Sequence, residues 1–153
     1  TLTVAENLYL SREIRKGFWP FQLLNRKKML IGAAEMMERV GNTTIRLNNE
    51  IGYMSGGQRQ AVAISRAVGW GAQVIIFDEP TRGIDVGAKS EIYKLMNDLI
   101  DQGKSIVMIS SELPEILRMS HRIVVMCEGR ITGELLNKEA NQESIMALAT
   151  MRN

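Results

Sequence analysis

Four consecutive residues, Ser55, Gly56, Gly57 and Gln58, have the composition of an anion-binding turn at the start of a helix. Glycines have no Cβ atom, so backbone N–H groups in such a turn can approach an anion closely. Apolar positions recur with helical spacing from this turn to Trp70, which predicts a helix with Ser55 as its N-cap. The free N–H groups and the dipole of that helix would favour a phosphate at its first turn.

A pair of carboxylates, Asp78 and Glu79, follows an apolar run of four residues, Val74–Phe77. The run predicts a buried strand that ends at the pair, and open α/β sheets bind their ligands at this edge. An aspartate at such a position can hold Mg²⁺, usually through water. A neighbouring glutamate can orient or deprotonate a water molecule. The two clusters together therefore predict chemistry on a phosphate.

The elements that must position these clusters fall into a helical half and an α/β half. The first half is predicted to contain a short amphipathic helix within residues 1–16, capped by Thr1 or Thr3, and a helix over Asn25–Val40 whose methionine-rich face enters the core. The second half alternates strands and helices, a pattern typical of a parallel sheet. Its predicted strands are Ala72–Phe77, Lys104–Ile109 and His121–Cys127, the last followed by a hairpin strand, Arg130–Leu135.

Bulk composition excludes several classes of protein. The 153 residues suit one domain, and a net charge of +2 with interleaved signs is not the basic stripe of a nucleic-acid binder. One cysteine, Cys127, excludes a disulfide within the chain and fits a reducing compartment. No apolar run approaches the roughly 18 residues that span a bilayer. Because the chain begins at Thr1 rather than Met, we expect it to be a piece of a longer protein.

Three segments, in their order and spacing, resemble motifs of the ABC ATPases. Met54–Gln58 is similar to the signature motif, although Met54 stands where Leu is usual, Asp78–Pro80 resembles Walker B, and Gly83–Asp85 resembles the D-loop. The resemblance implies an ATP-binding role for Ser55–Gln58 and Asp85, Mg²⁺ binding by Asp78 and a catalytic role for Glu79. The alternative is a helix–strand–turn of an unrelated α/β domain.

The sequence has no P-loop of the form G-x-x-x-x-G-K-[ST]. Gly103-Lys104-Ser105 lies between a helix and a strand, the reverse of the P-loop order. In the ABC family the P-loop precedes the helical subdomain, so the resemblance implies an α/β, P-loop NTPase-type cassette without its N-terminal part. We expect a helical subdomain at 1–70 and a RecA-like core with a partial, mainly parallel sheet at 71–153. Without the P-loop, the chain alone is expected to be inactive.

A further departure concerns the residue that would contact the γ-phosphate. In the family a switch histidine follows the strand after Walker B, and the corresponding residue here is Ser111, which is assigned to the catalytic site. A serine can form a hydrogen bond with a phosphate but cannot titrate near neutral pH. The lone histidine, His121, lies ten residues later and is interpreted as structural.

Two further segments, Thr81–Lys89 and Ser110–Glu115, resemble ATP-binding subunits of bacterial sugar importers of the ribose, galactose or xylose type. The resemblance implies ATP hydrolysis coupled to transport at the cytoplasmic face of the inner membrane. It also implies a second cassette, fused or separate, transmembrane permease subunits and, indirectly, a periplasmic sugar-binding protein as partners, with no nucleic acid. The alternatives are a non-catalytic module that supplies only the signature, or an ABC ATPase of a soluble process. The aromatic turn Gly17–Phe21 is either a small satellite core or a patch that contacts a partner.

Overall fold

The computed structural model describes residues 2–151, which form six α-helices and six short strands. The helices are α1 (Val4–Leu8), α2 (Arg26–Arg39), α3 (Gly56–Gly69), α4 (Val86–Asp101), α5 (Leu113–Met119) and α6 (Gln142–Ala149). The strands are β1 (Arg15–Lys16), β2 (Leu23–Leu24), β3 (Val74–Asp78), β4 (Ser105–Ile109), β5 (Arg122–Cys127) and β6 (Arg130–Leu136). Two 3₁₀ turns lie at Ile51–Tyr53 and Asn137–Glu139.

The described residues divide into two units. The first contains the residues up to Ile76 together with Thr81–Val107, and the second contains Phe77–Pro80 and the residues from Met108 onward. The strands β3 and β4 each continue from the first unit into the second. The division at residue 70 that the sequence predicts stays a prediction.

The first helix is short and lies within residues 1–16, as predicted. It begins at Val4 with Thr3 as N-cap, whose hydroxyl accepts from the Glu6 N–H at 3.3 Å, while the Glu6 carboxylate accepts from the Thr3 N–H at 3.0 Å. It ends at Leu8, because Ser11 adopts a left-handed conformation (φ +67°) that turns the chain out of the helix. The alternative cap, Thr1, lies outside the described residues.

The core of the first unit is formed by α1, α2 and α3, and the predicted methionine face of α2 lies within it. Fully or almost fully buried members include Val4, Leu8, Met29, Ala33 and Val62. Burial of each large apolar side chain in such a core contributes about 1.5–3 kcal/mol. The interpretation of the α2 methionines as core residues is therefore confirmed.

Two aromatic side chains fix α1 against the other helices. The Trp70 ring meets Tyr9 edge to face at 5.3 Å, and its indole N–H donates to the Leu8 carbonyl at 3.0 Å. The Tyr9 hydroxyl lies in a notch on α2, where a Cβ built on Gly32 would be 1.9 Å from the Tyr9 oxygen. Burial, with the Glu35 carboxylate, raises the pKa of Tyr9, so this hydroxyl stays neutral at physiological pH.

The strands β3 and β4 form a parallel pair. The Ser105 N–H donates to the Gln73 carbonyl at 2.9 Å where the strands begin, and the Glu79 N–H donates to the Ile109 carbonyl at 2.8 Å where they end. On both strands the second of these bonds lies closer to the C-terminus than the first, so the strands run in the same direction.

The prediction that β3 is a buried strand is wrong in part. Ile75 and Phe77 are buried, but Val74 is 59% exposed and Ile76 is 66% exposed. The burial of a strand residue depends on the elements that pack on the strand, and a run of four apolar residues does not specify those elements. Parallel strands are normally covered on both faces, so this face has the character of a surface that a further element would cover.

The second unit is built on the predicted hairpin. Its strands β5 and β6 pair antiparallel, with an irregularity between Val125 and Met126, and α6 packs on one face. Ile123, Val125 and Ile145 form its small core. Among the described strands, β5 pairs with β6 rather than with β4, so parallel pairing is confined to β3 and β4.

Candidate functional site

The predicted anion-binding turn lies at the N-terminus of α3. Ser55 is the N-cap, and its hydroxyl accepts from the Gln58 N–H at 3.2 Å. The Gln58 side chain in return accepts from the Ser55 N–H at 3.1 Å, which completes a capping box. The predicted cap is confirmed, and the box fixes the backbone from residue 55 to residue 58 before any ligand binds.

The two glycines of this turn lie on the side of α3 that faces α4. A Cβ built on Gly57 would lie 3.3 Å from the Ala88 Cβ, and one on Gly56 would lie 3.7 Å from Ile84. Ser55 and Gln58 are exposed, whereas both glycines are half-buried. The N–H groups of the first turn have no carbonyl partner within the helix. The arrangement can therefore present backbone donors and the positive end of a helix dipole to an anion.

Glu79 lies directly after β3 in a left-handed conformation, with φ +47°. Its N–H donates to the Ile109 carbonyl, and its carboxylate Oε1 accepts from the Ser111 N–H at 3.0 Å. A left-handed backbone is uncommon for a residue with a Cβ, and residues in such conformations cluster at functional sites. These bonds hold the Glu79 carboxylate at the end of β3, where a base must be positioned to act on water.

A loop after β4 presents Ser111, and a buried carboxylate fixes that loop. The Ser110 hydroxyl donates to Glu115 Oε2 at 2.5 Å and accepts from the Glu112 N–H at 3.0 Å. Glu115 is 2% exposed, and its other oxygen has no hydrogen-bond partner among the described residues. Sequence reasoning missed this contact, although a serine followed by a glutamate in the first turn of a helix could have indicated it.

The remaining predicted site residues occupy different positions. Asp78 is the exposed last residue of β3. The Asp85 carboxylate caps α4 and accepts from the Ala88 N–H at 2.9 Å. The described residues contain no group of three or more His, Cys, Asp or Glu side chains that could hold a metal ion. A single exposed carboxylate instead fits Mg²⁺ that takes its other ligands from water and phosphate oxygens.

The structure brings some of the predicted residues together within each unit. Glu79 and Ser111 are hydrogen-bonded in the second unit, which also contains Asp78. Ser55–Gln58 and Asp85 belong to the first unit. The exposed His121 precedes β5, and its carbonyl accepts from the Asn137 N–H at 3.0 Å.

Residues 1–82 match the ABC transporter family. The chain belongs to this family. Two solved ABC cassettes resemble it: one matches with a TM-score of 0.74 and 23% identity, covering 96% of this chain and 62% of that one. A nucleotide-free cassette matches with a TM-score of 0.73 and 25% identity over 96% of this chain and 58% of its own. The predicted fold class, a partial P-loop NTPase-type cassette, is thereby confirmed.

Curated relatives of this ABC cassette are much longer. A ribose import ATP-binding protein of Rubrobacter xylanophilus is 50% identical over 149 residues, which are 97% of this chain and 30% of the relative. An import ATP-binding protein of Burkholderia ambifaria, named for ribose, galactose and methyl galactoside, is 48% identical over 154 residues, 99% of this chain and 29% of its own. The chain thus spans less than a third of the length of these relatives. In its described residues no helix combines the length and the apolar character needed to cross a membrane.

Proposed function

We propose that this chain is the C-terminal part of an ATP-binding subunit of a bacterial sugar importer, in which ATP hydrolysis drives transport. The observation that carries the proposal is Glu79, held after β3 by the Ser111 N–H on its carboxylate and the Ile109 carbonyl on its own N–H. Relatives named for ribose import, close to half identical, support the sugar class. They argue against an ABC ATPase of a soluble process.

In this proposal, two groups of residues serve two different ATP molecules. Ser55, Gly56, Gly57 and Gln58 bind the phosphates of an ATP molecule held by a second cassette, through first-turn N–H groups and the Ser55 hydroxyl. Asp78 and Glu79 serve the ATP of this cassette. Bound Mg²⁺, held in part by Asp78, supplies charge neutralisation on the phosphates. Glu79 orients the attacking water and accepts its proton.

The partners follow from the shared site. A second cassette, in a separate chain or fused, completes each ATP site, and closing and opening of the two cassettes moves transmembrane permease subunits. This places the chain at the cytoplasmic face of the inner membrane, with a periplasmic sugar-binding protein as an indirect partner. No nucleic-acid partner is proposed, because the relatives are named for sugar import.

The test uses a substitution that preserves the helix cap. In the full-length subunit, Ser55→Asp keeps a side-chain acceptor for the Gln58 N–H, and Asp is as good an N-cap as Ser. Stability should change by only a few tenths of a kcal/mol, whereas the new charge repels the γ-phosphate. We expect ATP-driven sugar uptake and ATPase activity to fall at least tenfold. Ser55→Thr, a neutral cap, is the matched control and should retain activity. Equal activity of both variants would contradict the proposal.

One observation favours a second candidate, a cassette that supplies its signature but hydrolyses its own ATP slowly. The resemblance assigns Ser111 to the position of the switch histidine, and in the structure its N–H donates to Glu79 Oε1. Ser111→His would test this candidate. A rise in hydrolysis at the site of this cassette, measured with the other site disabled, would support it, and unchanged hydrolysis would oppose it.

A further inference from the structure

A β-hairpin of the first unit presents three aromatic rings to solvent at its tip. The strands β1 and β2 pair antiparallel, Arg15 with Leu24 and Lys16 with Leu23. The turn between them contains Phe18, Trp19 and Phe21, which are 74%, 83% and 73% exposed. Of the two interpretations of this turn, the small satellite core is therefore wrong, and the patch that contacts a partner stays a prediction. A contiguous exposed patch of this kind marks an interaction surface.

The aromatic tip is a structured turn. The Phe21 N–H donates to the Phe18 carbonyl at 2.8 Å, and their rings meet edge to face at 6.0 Å. Gly17 has φ +103°, and a Cβ there would lie 2.7 Å from the Phe21 carbonyl oxygen. Only glycine fits this position, so the turn that carries the rings is preorganised. Little conformational entropy remains to be lost when the rings bind.

The base of the hairpin is attached to the core of the unit. Ile14 packs against the buried cluster, and its carbonyl accepts from the Asn25 N–H at 2.7 Å. Asn25 in turn caps α2 through the Lys28 N–H at 3.2 Å. The Arg12 guanidinium lies 4.7 Å above the Trp70 ring. The rings therefore project from a base that is attached to the core and to α2.

Positive charge is concentrated in the segment of the chain that contains this tip. Residues 12–28 contain six Lys and Arg side chains and one Glu, a net charge of +5, whereas the whole chain has +2 and the remainder therefore −3. Arg26 forms an ion pair with Glu6 at 3.3 Å. Lys16, Lys27 and Lys28 are exposed beside the rings along the chain. A partner that binds this surface must therefore contact both apolar rings and several lysines.

We propose that this hairpin docks on an anionic lipid surface. Phe18, Trp19 and Phe21 enter the boundary between headgroups and acyl chains, where amphipathic aromatic rings concentrate. The surrounding lysines lie near anionic headgroups, which attract basic segments. A protein partner would accommodate the rings but fits the lysines less well, because Lys is depleted in protein–protein interfaces. The proposal concerns membrane contact alone and does not depend on the proposed ATP hydrolysis.

The first experiment is flotation of the 153-residue chain with vesicles at low and physiological salt. We expect binding to vesicles of phosphatidylcholine mixed with phosphatidylglycerol, weakened by salt, and little binding to phosphatidylcholine alone. Lys27→Gln and Lys28→Gln should each lower the affinity about fivefold, since one basic residue near an anionic surface contributes about that factor. No binding to the mixed vesicles at low salt, or equal binding to both kinds of vesicle, would overturn the proposal.

The second experiment tests the rings. Replacing Phe18, Trp19 and Phe21 together by Ser should abolish binding, whereas Tyr53→Ser, at an aromatic 89% exposed elsewhere in the unit, should not. Because all four rings are exposed, circular dichroism should show unchanged folding. Trp19→Phe should retain binding. Because Trp70 is then the only tryptophan, the blue shift of tryptophan fluorescence on mixed vesicles should be lost.

A permease subunit is the competing occupant, and the same variants distinguish it. If the serine triple variant still binds mixed vesicles but fails to associate with purified permease subunits, the hairpin is a protein-docking surface and the lipid assignment is wrong. If the triple variant loses vesicle binding and retains permease association, the lipid assignment is supported.

Discussion

Replacement of Glu79 by Gln in the full-length subunit separates a catalytic role from a structural one. Gln keeps an Oε1 atom that can accept from the Ser111 N–H, which now bonds to Glu79 at 3.0 Å. It also keeps a side chain of the same length at the left-handed position (φ +47°). What the substitution removes is the negative charge and the capacity to accept a proton from water.

The two effects differ in size. A hydrogen bond to a charged group contributes about 1.5–3 kcal/mol and one to a neutral group about 0.5–1.5. Since Ser111 is exposed, the free energy of unfolding should fall by less than about 1 kcal/mol. Loss of a positioned base lowers turnover by about 10²–10⁴, equivalent to about 2.7–5.4 kcal/mol in the barrier. Turnover should therefore fall far more than stability.

The assay is steady-state ATP hydrolysis with the partner cassette's own site disabled, beside urea unfolding of the same variants. Glu128→Gln is the matched control, because Glu128 is also a glutamate in the left-handed region, at φ +49°. That variant should retain turnover. If Glu79→Gln hydrolyses ATP at the unmutated rate, or loses turnover only as much as Glu128→Gln does, Glu79 is a structural carboxylate and the proposed mechanism fails.

Four further predictions concern the 153-residue chain itself. It should show no ATP binding at micromolar concentration by titration with labelled ATP, since its sequence contains no P-loop; micromolar affinity would mean that the nucleotide site has been misplaced. Light scattering should show that the chain self-associates through the exposed face of β3 and β4. Val107→Lys, at a residue that is 50% exposed, should reduce this self-association. A wild-type chain that stays monomeric at high concentration would contradict the prediction. Gly32→Ala should destabilise the chain by about 1–3 kcal/mol in urea, because the new methyl group meets the Tyr9 hydroxyl; an unchanged midpoint would show that Tyr9 moves freely. Hydrogen bonds from Thr3 lower the pKa of Glu6, so the contribution of its charged form to stability is present above about pH 4.3 and is lost as pH falls through the lowered pKa. In urea unfolding, Glu6→Gln should destabilise the chain at pH 7 and less in acid, and a pH-independent difference would oppose this.

Features that depend on a few neighbouring residues could be predicted from the sequence. The predicted cap at Ser55 is found, with its side chain accepting from the N–H three residues later, and Asn25, Asp85 and Asn141 cap their helices in the same way. The reason is local: a short polar side chain before an amphipathic run satisfies the free donors of the helix wherever the helix lies in the fold. The turn at Ser55–Gln58 belongs to this class, so its geometry could be predicted from its residue types.

Features that depend on distant neighbours could not be predicted. Ser11, after the end of α1, adopts a left-handed conformation although it is not a glycine, so the sequence does not indicate the turn there. Val74 and Ile76 are as apolar as Ile75, and only the surrounding elements decide which of them is exposed. The Ser111 N–H reaches Glu79 across 32 residues. Sequence reasoning supplied both residues, but the contact between them depends on the pairing of β3 with β4.

The notch in which the Tyr9 hydroxyl lies has a consequence for how this sequence can vary among relatives. The Tyr9 oxygen and a methyl group on residue 32 would occupy the same volume, with 1.9 Å between their centres. The two positions should therefore change together in an alignment, and in a fixed order. A lineage can first replace Tyr9 by a residue smaller than Phe and then enlarge Gly32, because the ring carbon Cζ would itself lie 3.1 Å from the new methyl group. The opposite order passes through a clash, so natural sequences that combine Tyr at position 9 with a residue larger than Gly at position 32 should be rare.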